Sequence, residues 1–303
     1  MRTRARDDSR HRDFAIATTG ALVYGTTIVF SRIVAKNGLG PVTALAMRFA
    51  IAGILLVGVL VVLRRPVLPP NGERVRAVLL GVLYASESSC FFIALEHGTT
   101  AAVALLFYVY PAVVATVEIV IGALAPRRST FLAIALSTAG AVVVAVGGGS
   151  VSISATGIVF AMGAVVCFTT YALASARLLP RTDALTSAAW TAIGASSTML
   201  VVGVCTGSLR APGESTAPIV ANGIATATAF TLFFVAVGRI GASRTSVVMT
   251  LEAAFAVVLA AIFLNESLRW LELVGGAAVL AGAAVAGLVI PERAEEVAVA
   301  EPP

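Results

Sequence analysis

The chain has 303 residues, of which 58% are hydrophobic and 12% charged, with a formal net charge of +5 and a mean hydropathy of +0.96. A soluble domain carries about 25% charged residues, so this composition excludes an ordinary water-soluble fold and argues for a bilayer as solvent. The basic residues, 20 Arg and one Lys, fall in short runs between apolar segments, which speaks against a nucleic-acid partner.

In chain order, an Arg-rich tail (1–13) comes first, its residues 1–12 reading as disordered. It runs into the apolar stretch 14–31 with no small-residue cleavage site after it, so that stretch reads as a span and not as a cleaved signal. About 20 apolar residues cross a hydrocarbon core of about 30 Å. Nine further stretches qualify: 41–63, 77–95, 99–123, 129–149, 154–176, 184–206, 217–238, 245–264 and 270–290. Each must be helical, because lipid offers backbone groups no water to pair with. The linkers carry Pro, Gly and Arg, and a second charged, Pro-containing tail follows (291–303). Cys90, Cys167 and Cys205 lie inside apolar segments and read as small buried hydrophobes, with no disulfide framework.

Adding 142 to the first five spans lands them on the last five. Ala139-Gly140-Ala141 then faces Ala281-Gly282-Ala283, although identity elsewhere is sparse. Five is odd, so a duplicated five-helix unit inserts its second copy upside down. The fold class is therefore an all-α integral membrane protein, with ten transmembrane helices as two inverted five-helix repeats, 14–149 and 154–290. With the N-terminus inside, 16 Lys and Arg fall in inner segments and four in outer loops, which places both termini in the cytoplasm. The expected location is the cell membrane, multi-pass.

The residues also resemble a known family, the drug/metabolite transporter superfamily, and within it the EamA-type ten-helix carriers. The resemblance rests on Gly40-Pro41 through Arg48-Phe49-Ala50, on Leu106 to Val114 around Pro111, and on Leu251-Glu252 through Asn265-Glu266, with Leu273-Val274-Gly275-Gly276 and Ala281-Gly282 beyond it. Leu124 and Asn265 depart from the family's Glu and Gly. The resemblance implies a secondary carrier, often an exporter, and the expected substrate is a small polar metabolite (an amino acid or similar) or a drug, moved by alternating access.

Charges inside a span cost about 2.5–3.5 kcal/mol, so each needs a reason. Arg48 and Glu87 stand seven and nine residues from the outer ends of their helices, about 10–14 Å deep at about 1.5 Å per residue. They could form a structural ion pair, or line a central cavity and contact substrate. Glu252 shares a helical face with Thr245 and Met249, so it points inward and is the candidate coupling group, with Glu87 as second candidate. Glu118 lies near an inner end, where headgroup water could solvate it, and Glu96 lies at a helix end. Candidate substrate-binding residues are Arg48, Glu87, Tyr24, Tyr108 and Trp190. Under the offset the four deep charges map to Trp190, Ala229, Ala260 and Tyr110, so none is duplicated. Residues that only hold a repeat together would tend to recur. By contrast, Ala133, Ser137, Ala141, Ala145 and Gly149, and Ala278, Gly282 and Ala286, form small-residue ladders for close helix packing.

A catalytic reading finds no support: the two His (His11, His97) stand in the tail and at a helix end, and no His-Glu-x-x-His or Gly-x-Ser-x-Gly is present. Gly147-Gly148-Gly149-Ser150 lacks the Lys of a phosphate loop and reads as a turn between the halves. No catalytic residue, metal site or cofactor is expected. The partners are a small-molecule substrate and membrane lipids, with a homodimer left open; a channel or scaffold subunit is the alternative function. Reporter fusions after residues 70, 127, 181 and 241 are expected to read cytoplasmic, and fusions near 37, 150 and 212 external. A reversed pattern at two or more sites contradicts both the orientation and the inverted repeat.

Overall fold

A membrane solvent forces every backbone polar group into internal hydrogen bonds, and the computed structural model is helical almost throughout. It describes residues 2–147, 151–264 and 269–289; Gly148, Gly149, Ser150, Asn265, Glu266 and the 291–303 tail lie outside the described residues. The first repeat comprises α1 (Arg2–Lys36), α2 (Pro41–Val62), α3 (Arg74–Glu96), α4 (Thr100–Phe107), α5 (Tyr110–Val120) and α6 (Arg128–Gly147). The second comprises α7 (Ala155–Ser175), α8 (Ala184–Thr206), α9 (Thr216–Met249), α10 (Leu251–Leu264) and α11 (Trp270–Val289). Residues 2–12, expected to be disordered, continue α1 as helix.

Two spans differ from continuous rods. The fourth crossing is broken at Tyr108 and Val109, just before Pro111, into α4 and α5. The ninth starts inside α9, where Gly241 takes a non-helical φ of 80°. It is then broken again at Thr250, before α10. Adding 142 to Thr100 and Phe107 gives Ala242 and Met249, so the two broken crossings correspond residue for residue. This break removes the reason given for Glu252 facing inward, since Thr245, Met249 and Glu252 do not share one continuous helix.

The bundle is apolar on both sides of its wall. Large aliphatic residues such as Ile54 (72% exposed) and Val62 (80% exposed) form an outer belt, which water would not tolerate on this scale but lipid does. The same solvent accounts for the cysteines. Cys205 is exposed and Cys90 and Cys167 are half-buried, contrary to expectation, because a thiol in a bilayer gains nothing by turning inward.

Close approach between helices rests on glycine. A Cβ on Gly140 would sit 2.6 Å from Val279 N, and one on Gly275 would sit 2.6 Å from Gly140 O, which locks α6 against α11. The equivalent pair Gly81 and Gly223 does the same nearer the centre: a Cβ at Gly81 would lie 2.6 Å from Ala195 N, and one at Gly223 2.5 Å from Ile51 Cγ2. Gly194 belongs to the Gly81 contact and is packing, not cavity lining.

Gly81→Leu should therefore abolish folded, monodisperse protein in detergent, because backbone cannot yield as a flexible side chain does. Gly58→Leu, where a Cβ meets nothing within 4 Å, should leave yield and melting temperature nearly unchanged. Equal behaviour of the two variants would contradict this packing.

Candidate functional site

One end of the bundle carries the arginine-rich linkers around 63–73, 121–127 and 176–183, and the other carries the arginine-poor linkers around 37–40, 97–99 and 207–212. Between them lies an aromatic and acidic centre. All five tyrosines of the chain, Tyr24, Tyr84, Tyr108, Tyr110 and Tyr171, are buried. Tyr84 packs edge-on against Phe49, Tyr171 and Phe230, and Phe168 bridges Tyr110 to Tyr171. Tyrosines in membrane proteins commonly belt the interface; here they fill the middle.

Glu252 stands in the first turn of α10, directly after the break. It lies within electrostatic reach of Glu87 and of Tyr24, Tyr84, Tyr108 and Tyr110. Glu87 is buried and accepts a hydrogen bond from Ser88 Oγ at 3.0 Å. Arg48 and Glu87 do not close to an ion pair among the described residues; the guanidinium lies over the Phe49 ring, 4.6 Å from its centroid. The structure thus brings Tyr24, Glu87, Tyr108 and Glu252 together; Arg48 acts electrostatically on Glu87 and Tyr84 without closing an ion pair, and lies toward the arginine-poor end.

There Arg48 lines a cavity of about 270 Å³, with Ser31 and Asn222 as polar neighbours, Glu96 at its mouth, and walls including Leu45 and Phe92. Asn222 Nδ2 donates to Ser31 Oγ at 3.0 Å. Asn222 Oδ1 and Arg48 Nε are buried without a hydrogen-bond partner among the described residues. Sequence reasoning missed Asn222, and it valued Glu96 only as a helix end. The available signal was one amide inside the span 217–238.

Trp190 stands elsewhere. Its indole Nε1 donates to Val67 O at 2.8 Å, at the arginine-rich end. Beside it Thr186 Oγ1 donates to Pro66 O at 3.0 Å, and the buried Glu73 accepts from Arg181 N at 3.2 Å and from Thr182 Oγ1 at 2.5 Å. Each of these bonds joins the first repeat to the second. They join the two repeats at this end, while the cavity lies toward the other.

Glu118 does not reach for headgroup water. Its Oε2 accepts from Ser243 N at 3.2 Å and from Ser243 Oγ at 2.5 Å, capping the helical segment that begins after Gly241. Arg177 approaches its other oxygen at 3.9 Å. Two turns along α5, Tyr110 Oη donates to Ser246 O at 3.1 Å. That carbonyl needs it: Thr250 N–H, its partner in an unbroken helix, turns to Val247 O instead. In the first repeat the corresponding Ala104 O keeps its own donor, Tyr108 N, at 2.9 Å. Glu252, the counterpart of Tyr110, therefore has no carbonyl to satisfy, and an acid would not donate to one while ionised.

The sequence pattern of the EamA-like transporter family matches residues 14–146 and 155–288. No curated protein matches the chain. A solved crystal structure of a protein that is 18% identical covers 92% of this chain and 98% of its own, with a TM-score of 0.79. At that identity the likeness shows the fold.

Tyr110→Phe should lower stability by about 1–3 kcal/mol, because it leaves the buried Ser246 carbonyl unpaired, and should keep the aromatic packing. Thermal unfolding of purified protein measures it. An unchanged melting temperature would mean that water or a rearranged break supplies the donor.

Proposed function

Because the chain belongs to the EamA-like transporter family and is a multi-pass membrane transporter of the drug/metabolite superfamily, we propose that it is a secondary carrier. It exports a small polar metabolite or drug across the cell membrane by alternating access, with both termini in the cytoplasm. The observation that carries this reading is the arrangement of two corresponding broken helices around an acidic and aromatic centre, with a cavity toward the arginine-poor end. Interrupted helices at matching positions of inverted repeats mark the substrate and coupling site of many carriers, since irregular backbone persists in lipid only where protein or a cavity covers it. In this reading the five-helix units rock about the centre. Opening the arginine-rich end breaks the Glu73, Thr186 and Trp190 bonds and closes the Arg48 cavity.

Arg48 supplies the anion site. Its guanidinium is a permanent charge with a fork geometry suited to carboxylate or phosphate, and its Nε has no protein partner among the described residues. Glu252 supplies coupling. It makes no hydrogen bond among the described residues that would commit it to one protonation state, and it sits where the two units meet, with Glu87 as the neighbouring acid. Tyr24 and Tyr108 complete the surface that substrate passes, while Trp190 acts as the closing plug. A channel fits less well, because directional hydrogen bonds join the two repeats at the arginine-rich end.

The test is a proteoliposome assay against a metabolite panel selected by an export screen. Arg48→Ala should abolish saturable transport at normal expression. Glu252→Gln should keep substrate binding and remove the dependence of transport on an imposed pH gradient. Normal transport by Arg48→Ala removes the anion-site reading, and absence of any pH-gradient dependence in the wild type removes the coupling role.

A further inference from the structure

The cavity's polar residues do not recur in the other repeat. Under the 142-residue offset Arg48 corresponds to Trp190, Asn222 to Leu80, and Ser31 to Leu173. Leu80 and Leu173 are buried apolar core, so the same backbone positions pack well without any polar atom. The polar set costs desolvation in lipid and has no structural counterpart. It has a geometric logic instead. Asn222 is 2% exposed and lines the cavity together with Arg48; its amide is fixed by donating to Ser31 Oγ, and its Oδ1 is left as a buried acceptor without a partner among the described residues. A cation and an acceptor in one cavity describe a ligand that carries an anionic group and, close to it, a hydrogen-bond donor.

We propose that Asn222 is a specificity-determining residue that reads a donor group next to the substrate's carboxylate, so that the cavity takes small 2-amino or 2-hydroxy carboxylic acids with an apolar tail. The inference rests on the reading of the Arg48 cavity as the substrate site. Arg48 takes the carboxylate, Asn222 Oδ1 accepts from the amine or hydroxyl on the neighbouring carbon, and Leu45 and Phe92 receive the tail. The volume of about 270 Å³ suits a compact molecule of that kind. An analogue lacking the donor leaves Asn222 Oδ1 buried and unpaired, which is the situation that polar sites reject most strongly.

The test uses the full chain in lipid nanodiscs and isothermal titration with three probes of one carbon skeleton: leucine, 2-hydroxy-4-methylpentanoate and 4-methylpentanoate. The wild type should bind at least one donor-bearing probe about ten-fold or more tighter than 4-methylpentanoate, as one unmade buried hydrogen bond implies. Asn222→Leu, which installs the residue of the other repeat, should erase that preference while retaining 4-methylpentanoate affinity; retained binding certifies its fold. Ser31→Ala, which releases the amide, should reduce the preference in part. If the amino probe alone is preferred, the substrate is an amino acid; if the hydroxy probe alone, a hydroxy acid. If all three bind equally and Arg48→Ala abolishes them, the inference about Asn222 is wrong and the cavity reading stands. If none binds, or if Arg48→Ala changes nothing, both are overturned.

Discussion

The bond from Tyr110 Oη to Ser246 O is the contact on which the rest of the arrangement depends. Lipid tolerates an interrupted helix only when each freed carbonyl finds another donor. The break at Thr250 frees Ser246 O, and the donor comes from the start of α5, just past the equivalent break in the other repeat. Glu118, further along the same helix, holds Ser243 at the opposite end of the segment. One short helix, α5, thus straps the segment 242–249, the counterpart of α4, at two points across the repeat boundary. The strap holds the breaks at the centre, and the breaks bring Glu252 beside Glu87 and the tyrosines.

The backbone is nearly symmetric and the chemistry is not. Gly81 and Gly223, at equivalent positions, both stand where a Cβ would clash, and the two broken crossings correspond in position. Yet the cationic position of one repeat is a tryptophan in the other. A carrier needs this combination. Symmetry gives the two opposing states comparable packing, so that a small differential affinity can shift their populations, whereas asymmetric side chains allow a substrate that has no symmetry of its own to be read. Arg48 lines a cavity, whereas the corresponding Trp190 is bonded to Val67 O.

Much of the architecture was legible in the sequence, because hydropathy is a local property and the offset needs nothing else. The spans and the inverted repeat follow from it. The breaks were less legible. Pro111 hinted at the first, but nothing near Thr250 announced the second, and the residue that makes it affordable is Tyr110, 136 positions away. Glu118 was misjudged for the same reason: its distance from the helix end suggested solvent, while its partners are Ser243 and Arg177 of the other repeat. Asn222 escaped notice because a single amide in an apolar run has no period. Trp190 was grouped with the site by its residue type, and only the fold shows it bonded to the 63–73 linker.

The central claim, that one crevice opens alternately at its two symmetry-related ends, is tested most directly by thiol accessibility at a symmetric pair. Leu45 lines the cavity, and Ser187, which is 142 residues later, is buried at the arginine-rich end. Each is replaced by cysteine in a background lacking Cys90, Cys167 and Cys205, and labelled with an impermeant reagent from either side of oriented vesicles. The account predicts that Leu45→Cys reacts from the arginine-poor side only, Ser187→Cys from the arginine-rich side only, and that conditions raising one reactivity lower the other. Simultaneous labelling of both positions to completion, with no reciprocal change, would contradict alternating access and point to an open pore.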